Sequence, residues 1–164
     1  MSDVSDVSDV ILGRLAHDAI IAHARDAAPA ECCGLLIGSR GSRGSRGSRG
    51  AGSAIVEAVR TRNLAANPGR FQIDPEDHIN ARRTARHRGL DVLGFYHSHP
   101  RSGATPSATD LAEASYPGHL YLIVSMLAEP ADVRLYRFEA GAFREVVWRS
   151  EIADARANID HDGR

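Results

Sequence analysis

The sequence contains no lysine; all 20 of its basic residues are arginine. A biased coding composition accounts for that, and one chemical consequence holds whatever its origin. No side chain of this protein can carry an isopeptide-linked modifier on lysine. Cysteine is nearly as scarce: Cys32 and Cys33 are the only two, and they are neighbours. A bridged pair needs Cα atoms further apart than one peptide unit places them. The two are therefore read as a reduced, half-buried pair, which suits the cytoplasm. There is no charge excess either, since 20 basic residues stand against 21 acidic ones for a net charge of −1. A general nucleic-acid binder would need a strong basic surplus to displace counterions from phosphates. Long apolar runs are also missing. The longest, around Leu120 to Leu127, falls well short of the roughly 20 residues of a bilayer span. The opening MSDVSDVSDV is acidic where a secretory signal would be basic. These absences predict a cytoplasmic protein with neither a nucleic-acid nor a membrane partner.

What is present is the make-up of one globular domain: 164 residues, 43% hydrophobic and 25% charged. Two tandem repeats interrupt it, SDV over residues 2–10 and SRG over residues 39–50. Neither can build a core, because one is acidic and polar and the other is arginine among flexible serine and glycine. A basic loop on an acidic body could steer an acidic partner. A slipped repeat tolerated on the surface is the simpler reading. The expected organisation is a disordered acidic tail over 1–9, a domain over 10–150 with the SRG repeat (39–50) inserted at a hairpin tip, and a polar tail over 151–164.

Strand and helix patterns alternate through that domain. Val10 to Leu12 reads as a short strand, followed by an amphipathic helix over 14–27 whose apolar stripe is Leu15, Ile20, Ile21 and Ala24. CCGLLIG (32–38) is a buried strand, and 54–62 is its partner. Asp74-Pro75 caps and opens a helix that runs to about His87, where Gly89 ends it. Leu90 to His97 is a strand. A loop of Gly, Pro and Ser leads to a short helix over about 107–115. Three strands follow at 119–126, 133–138 and 143–148, the last two joined through Glu139-Ala140-Gly141. The order predicts an α/β fold, a single-domain sandwich around a central mixed sheet. The histidines outside 97–99 are scattered and read as helix-surface or loop residues, and Trp148 reads as packing.

The chemistry concentrates in HSHPRSGATPSATD, residues 97–110. Side chains two apart on a strand share a face, so the His97 and His99 imidazoles project together from Cα atoms roughly 6.5–7 Å apart. That spacing lets both close on one zinc ion at about 2.0–2.1 Å. Asp110, returning in the first turn of the next helix, could complete the set. Three protein ligands leave a fourth tetrahedral position open, as in catalytic rather than structural zinc sites. A lone HxH is a weak signal, and Ser107-x-x-Asp110 is also simply a helix capping pair. Both readings hold together, since a capped helix would aim Asp110 at the histidines. Other HxH motifs fit poorly. No acid follows soon enough for a cupin, HxHxDH is absent, the zinc deaminases' H-x-E with PCxxC is missing, and an amidohydrolase barrel needs about 250 residues.

His97-Ser98-His99, then seven residues, then Ser107-x-x-Asp110, preceded by Glu31 in AECCGLLIG, resembles the JAMM (MPN+, Mov34/PAD-1) metallopeptidases at every signature position. RFQIDPEDHI (70–79) and YPGHLYLIVS (116–125) are similar to other stretches of the small prokaryotic members, and the likeness covers roughly residues 10 to 148. It implies the JAB1/MPN (cytidine deaminase-like) fold and a Zn²⁺ ion held by His97, His99 and Asp110. Glu31 would be the general base and Ser107 the oxyanion donor. Ser98, on the opposite face, would be structural, and Cys33 would be packing. It further implies hydrolysis of a peptide or isopeptide bond after the C-terminal Gly-Gly of a ubiquitin-like sulfur-carrier protein. The rival classes are a non-catalytic MPN-type scaffold, whose mark is loss of metal ligands, and a zinc amidase on a small amide.

Overall fold

A computed structural model describes residues 10–41 and 52–151. The first nine residues, most of the SRG repeat and the tail beyond 151 lie outside the described residues. Eight strands and three helices follow in order among them: β1 (Val10–Leu12), α1 (Arg14–Ala27), β2 (Cys33–Ser39), β3 (Ala54–Thr61), α2 (Pro75–His87), β4 (Asp91–His99), α3 (Ala108–Glu113), β5 (Leu120–Ser125), β6 (Asp132–Glu139), β7 (Ala142–Val146) and β8 (Trp148–Ser150). The strands form one mixed sheet in the order β7-β6-β5-β4-β2-β3-β1-β8. β2 is antiparallel to both its neighbours, whereas β4 runs parallel to β5. The connection from β4 to β5 is the one that carries α3.

β7 and β8 lie at opposite edges of this sheet, yet only Val147 separates them. Laid flat, eight strands about 4.8 Å apart would put those edges roughly 34 Å from each other, far beyond the reach of one residue. The sheet therefore curls around α1. Ala16, Ile20 and Ala24 of α1 pack inside the curl against Leu36, Tyr96, Leu122 and Val124, with Val146 and Trp148 closing the ends. This curl also divides the strand expected over 143–148, because its last residues leave β6 to pair with β1. Leu15, expected on the apolar stripe, is 81% exposed. At about 100° per residue, positions 16, 20, 24 and 27 share the inward face and Leu15 points away from it.

On the outer face, α2 covers the middle of the sheet. Its N-cap Asp74 accepts a hydrogen bond from the Glu76 N–H at 2.8 Å, Pro75 occupies the first turn, and Gly89 at φ +70° ends it. Ala81 and Ala85 pack on Leu35, Phe95 and Ile123. Each buried Leu, Ile or Phe contributes about 1.5–3 kcal/mol, so the two layers hold β4 between them. β4 is buried over eight of its nine residues. At Gly34 the inner layer leaves no room for a side chain, since a Cβ there would fall 2.3 Å from the Tyr96 ring. Both cysteines, expected to be half-buried, are fully buried. They sit where β2 enters between β3 and β4, one facing each layer.

Candidate metal centre

His97 and His99 end β4 on the outer, α2-covered face, while Ser98 turns inward and its Oγ accepts a hydrogen bond from the Cys32 N–H at 2.8 Å. The loop after Pro100 is pinned at three carbonyls. Ser125 Oγ donates to the Ser102 oxygen at 2.7 Å, and Tyr136 donates to the Ala104 oxygen at 2.6 Å. The third carbonyl, that of Gly103, accepts from His99 Nδ1 at 2.7 Å. A carbonyl cannot donate, so the proton lies on Nδ1 and the Nε2 lone pair is left to bind a cation. α3 then starts with a capping box: the Asp110 N–H donates to Ser107 Oγ at 3.0 Å, and the Ser107 N–H donates to Asp110 Oδ2 at 2.8 Å. The helix start thus fixes the Asp110 carboxylate.

His97 Nε2 and His99 Nε2 lie 3.0 Å apart, with His97 Nε2 3.3 Å from Asp110 Oδ1 and His99 Nε2 3.3 Å from Asp110 Oδ2. The edge of a tetrahedron with 2.0–2.1 Å bonds is about 3.3–3.4 Å, so two nitrogens 3.0 Å apart beside a carboxylate at 3.3 Å from each have the spacing of zinc ligands. Among the described residues this is the group of side chains placed to hold a metal ion. Its electrostatics suit a cation. Burial drives the His97 pKa down despite the Asp110 carboxylate, which keeps that imidazole neutral. For His99 the burial effect is outweighed by Asp110 and the Gly103 carbonyl, and the pKa rises. Burial would raise Asp110, but the two imidazoles beside it hold its carboxyl well below the usual range.

Glu31 lies just ahead of β2. Cys33 pairs with His97, and Ser98 N donates to the Cys32 oxygen, so the antiparallel register carried two residues further places Glu31 across from His99. Burial pushes its pKa up to about 7, with His99 lowering it and Asp110 and Glu113 raising it. Glu31 also lines a cavity of about 390 Å³ together with His23, Cys32, Thr61 and Asn63. Ser107, the N-cap of α3, is exposed. Phe71, on the loop between β3 and α2, stacks on His97 with ring centroids 4.3 Å apart. Arg70 beside it pairs with Glu113, one turn beyond Asp110, and ties the loop to α3.

The model of prokaryotic homologs of the JAB domain matches residues 14–139. The chain belongs to this family. It is 40% identical over 115 residues to the desampylase of Haloferax volcanii, an alignment covering 67% of this chain and 76% of that one. It is also 31% identical over 130 residues to the CysO-cysteine peptidase of Mycobacterium tuberculosis, covering 78% and 82%. Among solved structures, one from Desulfitobacterium hafniense superposes with a TM-score of 0.73 at 28% identity, covering 88% of this chain and 95% of its own. A JAB1/MPN domain protein from Archaeoglobus fulgidus shares the fold at a TM-score of 0.54 and 22% identity, with 85% and 96% covered.

Within this JAB-type fold, several residues shape the centre without any signal in the motif. Gly103 acts through its carbonyl, so no side chain announces it. Phe71 lies in the RFQID segment, where only its extended conformation is predictable. The histidines read as surface residues divide: His23 Nδ1 lies 2.8 Å from the buried Tyr96 hydroxyl, whereas His78 and His119 are half-buried around Phe95. Sequence spacing could not have separated these, because each depends on which face a strand residue 17 or more positions away presents.

Proposed function

We propose that the protein is a zinc-dependent peptidase or isopeptidase that cleaves after the C-terminal Gly-Gly of a ubiquitin-like carrier protein. The observation that carries this reading is the cluster of His97 and His99, with Nε2 atoms 3.0 Å apart and each 3.3 Å from one oxygen of the Asp110 carboxylate, facing Glu31 across the sheet register. The names of the relatives, a desampylase and a CysO-cysteine peptidase, support a hydrolase acting on small ubiquitin-like proteins. Zinc held by these three side chains supplies a Lewis acid for the scissile carbonyl and lowers the pKa of water toward 7.

The rest falls to the chain's own groups. Glu31 takes the proton of the attacking water and returns it to the leaving amine; a carboxyl raised toward neutral pH by burial is matched to both transfers. Ser107 Oγ accepts from Asp110 N, so its own hydrogen is available to the oxyanion that develops on the carbonyl. Phe71 seals one side of His97 from water. The Arg70–Glu113 ion pair ties the loop to α3 beside the site and favours a slender substrate. A diglycine tail, with no side chains, suits such a passage and can add a strand as it binds.

Incubating the zinc-loaded protein with carrier proteins extended beyond Gly-Gly, and weighing the products by mass spectrometry, tests this. Cleavage is expected directly after the second glycine. Glu31→Gln should keep zinc and lose about 10²–10⁴-fold in rate. Cleavage of small amides with carriers left intact would point to an amidase, and undiminished turnover by Glu31→Gln would remove Glu31 from the chemistry.

A further inference from the structure

We infer that Asn63 is a positioning residue for Glu31, acting through the backbone rather than on substrate. Its side-chain amide has two donors and two acceptor sites, and all four are used. Nδ2 donates to the carbonyls of Glu31 and Arg70, each at 3.0 Å. Oδ1 accepts from the N–H groups of Ala65 at 3.0 Å and Gln72 at 2.9 Å. Turning the amide over would set donors against N–H groups and oxygen against carbonyls, so only one orientation is possible. The Glu31 peptide is gripped from its other side too, its N–H donating to the Pro68 carbonyl at 2.9 Å.

The location of this clasp explains what it does. Glu31 lies outside β2, in the link from α1, where no strand ladder of its own fixes it. The residues that hold it all belong to the 63–73 loop, closed by the Asn63–Ile73 bridge and by Leu64 N donating to Gln72 O. The same loop places Phe71 on His97 and Arg70 on Glu113. Asn63 therefore locks the general base and the loop packed on His97 into one unit. A displacement of about 1 Å at such a group can cost roughly 10²-fold in rate, and support of this kind is what keeps a site within tolerance.

The inference rests on Glu31 being the base, and the test separates the two ideas. Asn63→Asp has the same shape and keeps both acceptor bonds but presents oxygen to the Glu31 and Arg70 carbonyls. It should lower kcat about 10- to 100-fold with KM and zinc content unchanged. In a Glu31→Gln background the same substitution should cost less than about 3-fold, because partners acting as one unit are not additive. Independently of any substrate, deuterium exchange at the Glu31 amide should quicken about 10-fold or more while mid-strand Leu35 stays protected. Asn63→Ala should behave likewise, and melting curves identify any variant that fails to fold. Wild-type kcat with wild-type exchange in Asn63→Asp would overturn the inference. So would a loss that multiplies in full on Glu31→Gln. If the wild type cleaves no carrier, the functional reading fails and the exchange data alone decide the clasp.

Discussion

Two histidine clusters lie on the same face of the sheet, separated by two residues of β4. At its end, His97 and His99 meet the Asp110 carboxylate, and a backbone oxygen takes the Nδ1 proton of His99. One step down the strand, His78 and His119 close on Phe95, with ring centroids at 5.6 and 5.9 Å, and on Tyr116. Neither makes an ion pair among the described residues. Burial lowers both pKa values, and the Arg82 guanidinium lowers them further. His78 Nε2 is buried with no hydrogen-bond partner among the described residues. Histidine count is therefore a poor guide to a metal site. What separates the clusters is a carboxylate 3.3 Å from both imidazoles on one side, and aromatic faces beneath arginines on the other.

Substitution should break this contrast most severely at the first cluster. His97→Ala/His99→Ala should strip the protein of zinc, from about one equivalent per chain to none by elemental analysis, and take all hydrolysis with it. Stoichiometric zinc in that variant would place the ion elsewhere. The second cluster should show itself in stability rather than activity. His78 and His119 titrate below 6.5 when folded, so the unfolded chain binds their protons more readily. Their contribution is present above the unfolded value and is lost as pH falls through the folded ones. The melting temperature should drop on acidification from about pH 7.5 to 5.5, and drop less in His78→Phe/His119→Phe. Parallel curves for the two proteins would contradict this. The smallest effect belongs to His78→Phe alone at neutral pH. Zinc content and turnover should be unchanged and stability altered by no more than about 1 kcal/mol, since an unsatisfied buried nitrogen is removed. A fall in zinc content would tie the two clusters together.

The contrast also marks how far sequence reasoning reaches. Helix starts were legible because capping is local: Asp74-Pro75 and Ser107-x-x-Asp110 both carry their signal within four residues. The two-residue turn at Ala140-Gly141, with φ of 50° and 75°, was legible for the same reason. HxH at the end of an apolar strand placed two imidazoles on one face through strand alternation. The exposure of Leu15, the break at Val147 and the partial burial of His78 and His119 were not legible. The first two follow the curl of the sheet around α1, with β1 pairing β8 across almost the whole chain, and the third follows the packing of α2 and Tyr116 around Phe95 on the other face. Asn63 escaped notice because one asparagine in a loop looks like any turn residue until its four partners are known.

The bond from His99 to Gly103 has a consequence for how this segment can vary. Because the ring is oriented by main-chain oxygen, the identities of Arg101, Ser102 and Thr105 are nearly irrelevant to its aim, whereas the number of residues between His99 and Ser107 is not. A one-residue insertion or deletion there would shift the acceptor and the helix start together, and should be harsher than replacing several of those side chains at once.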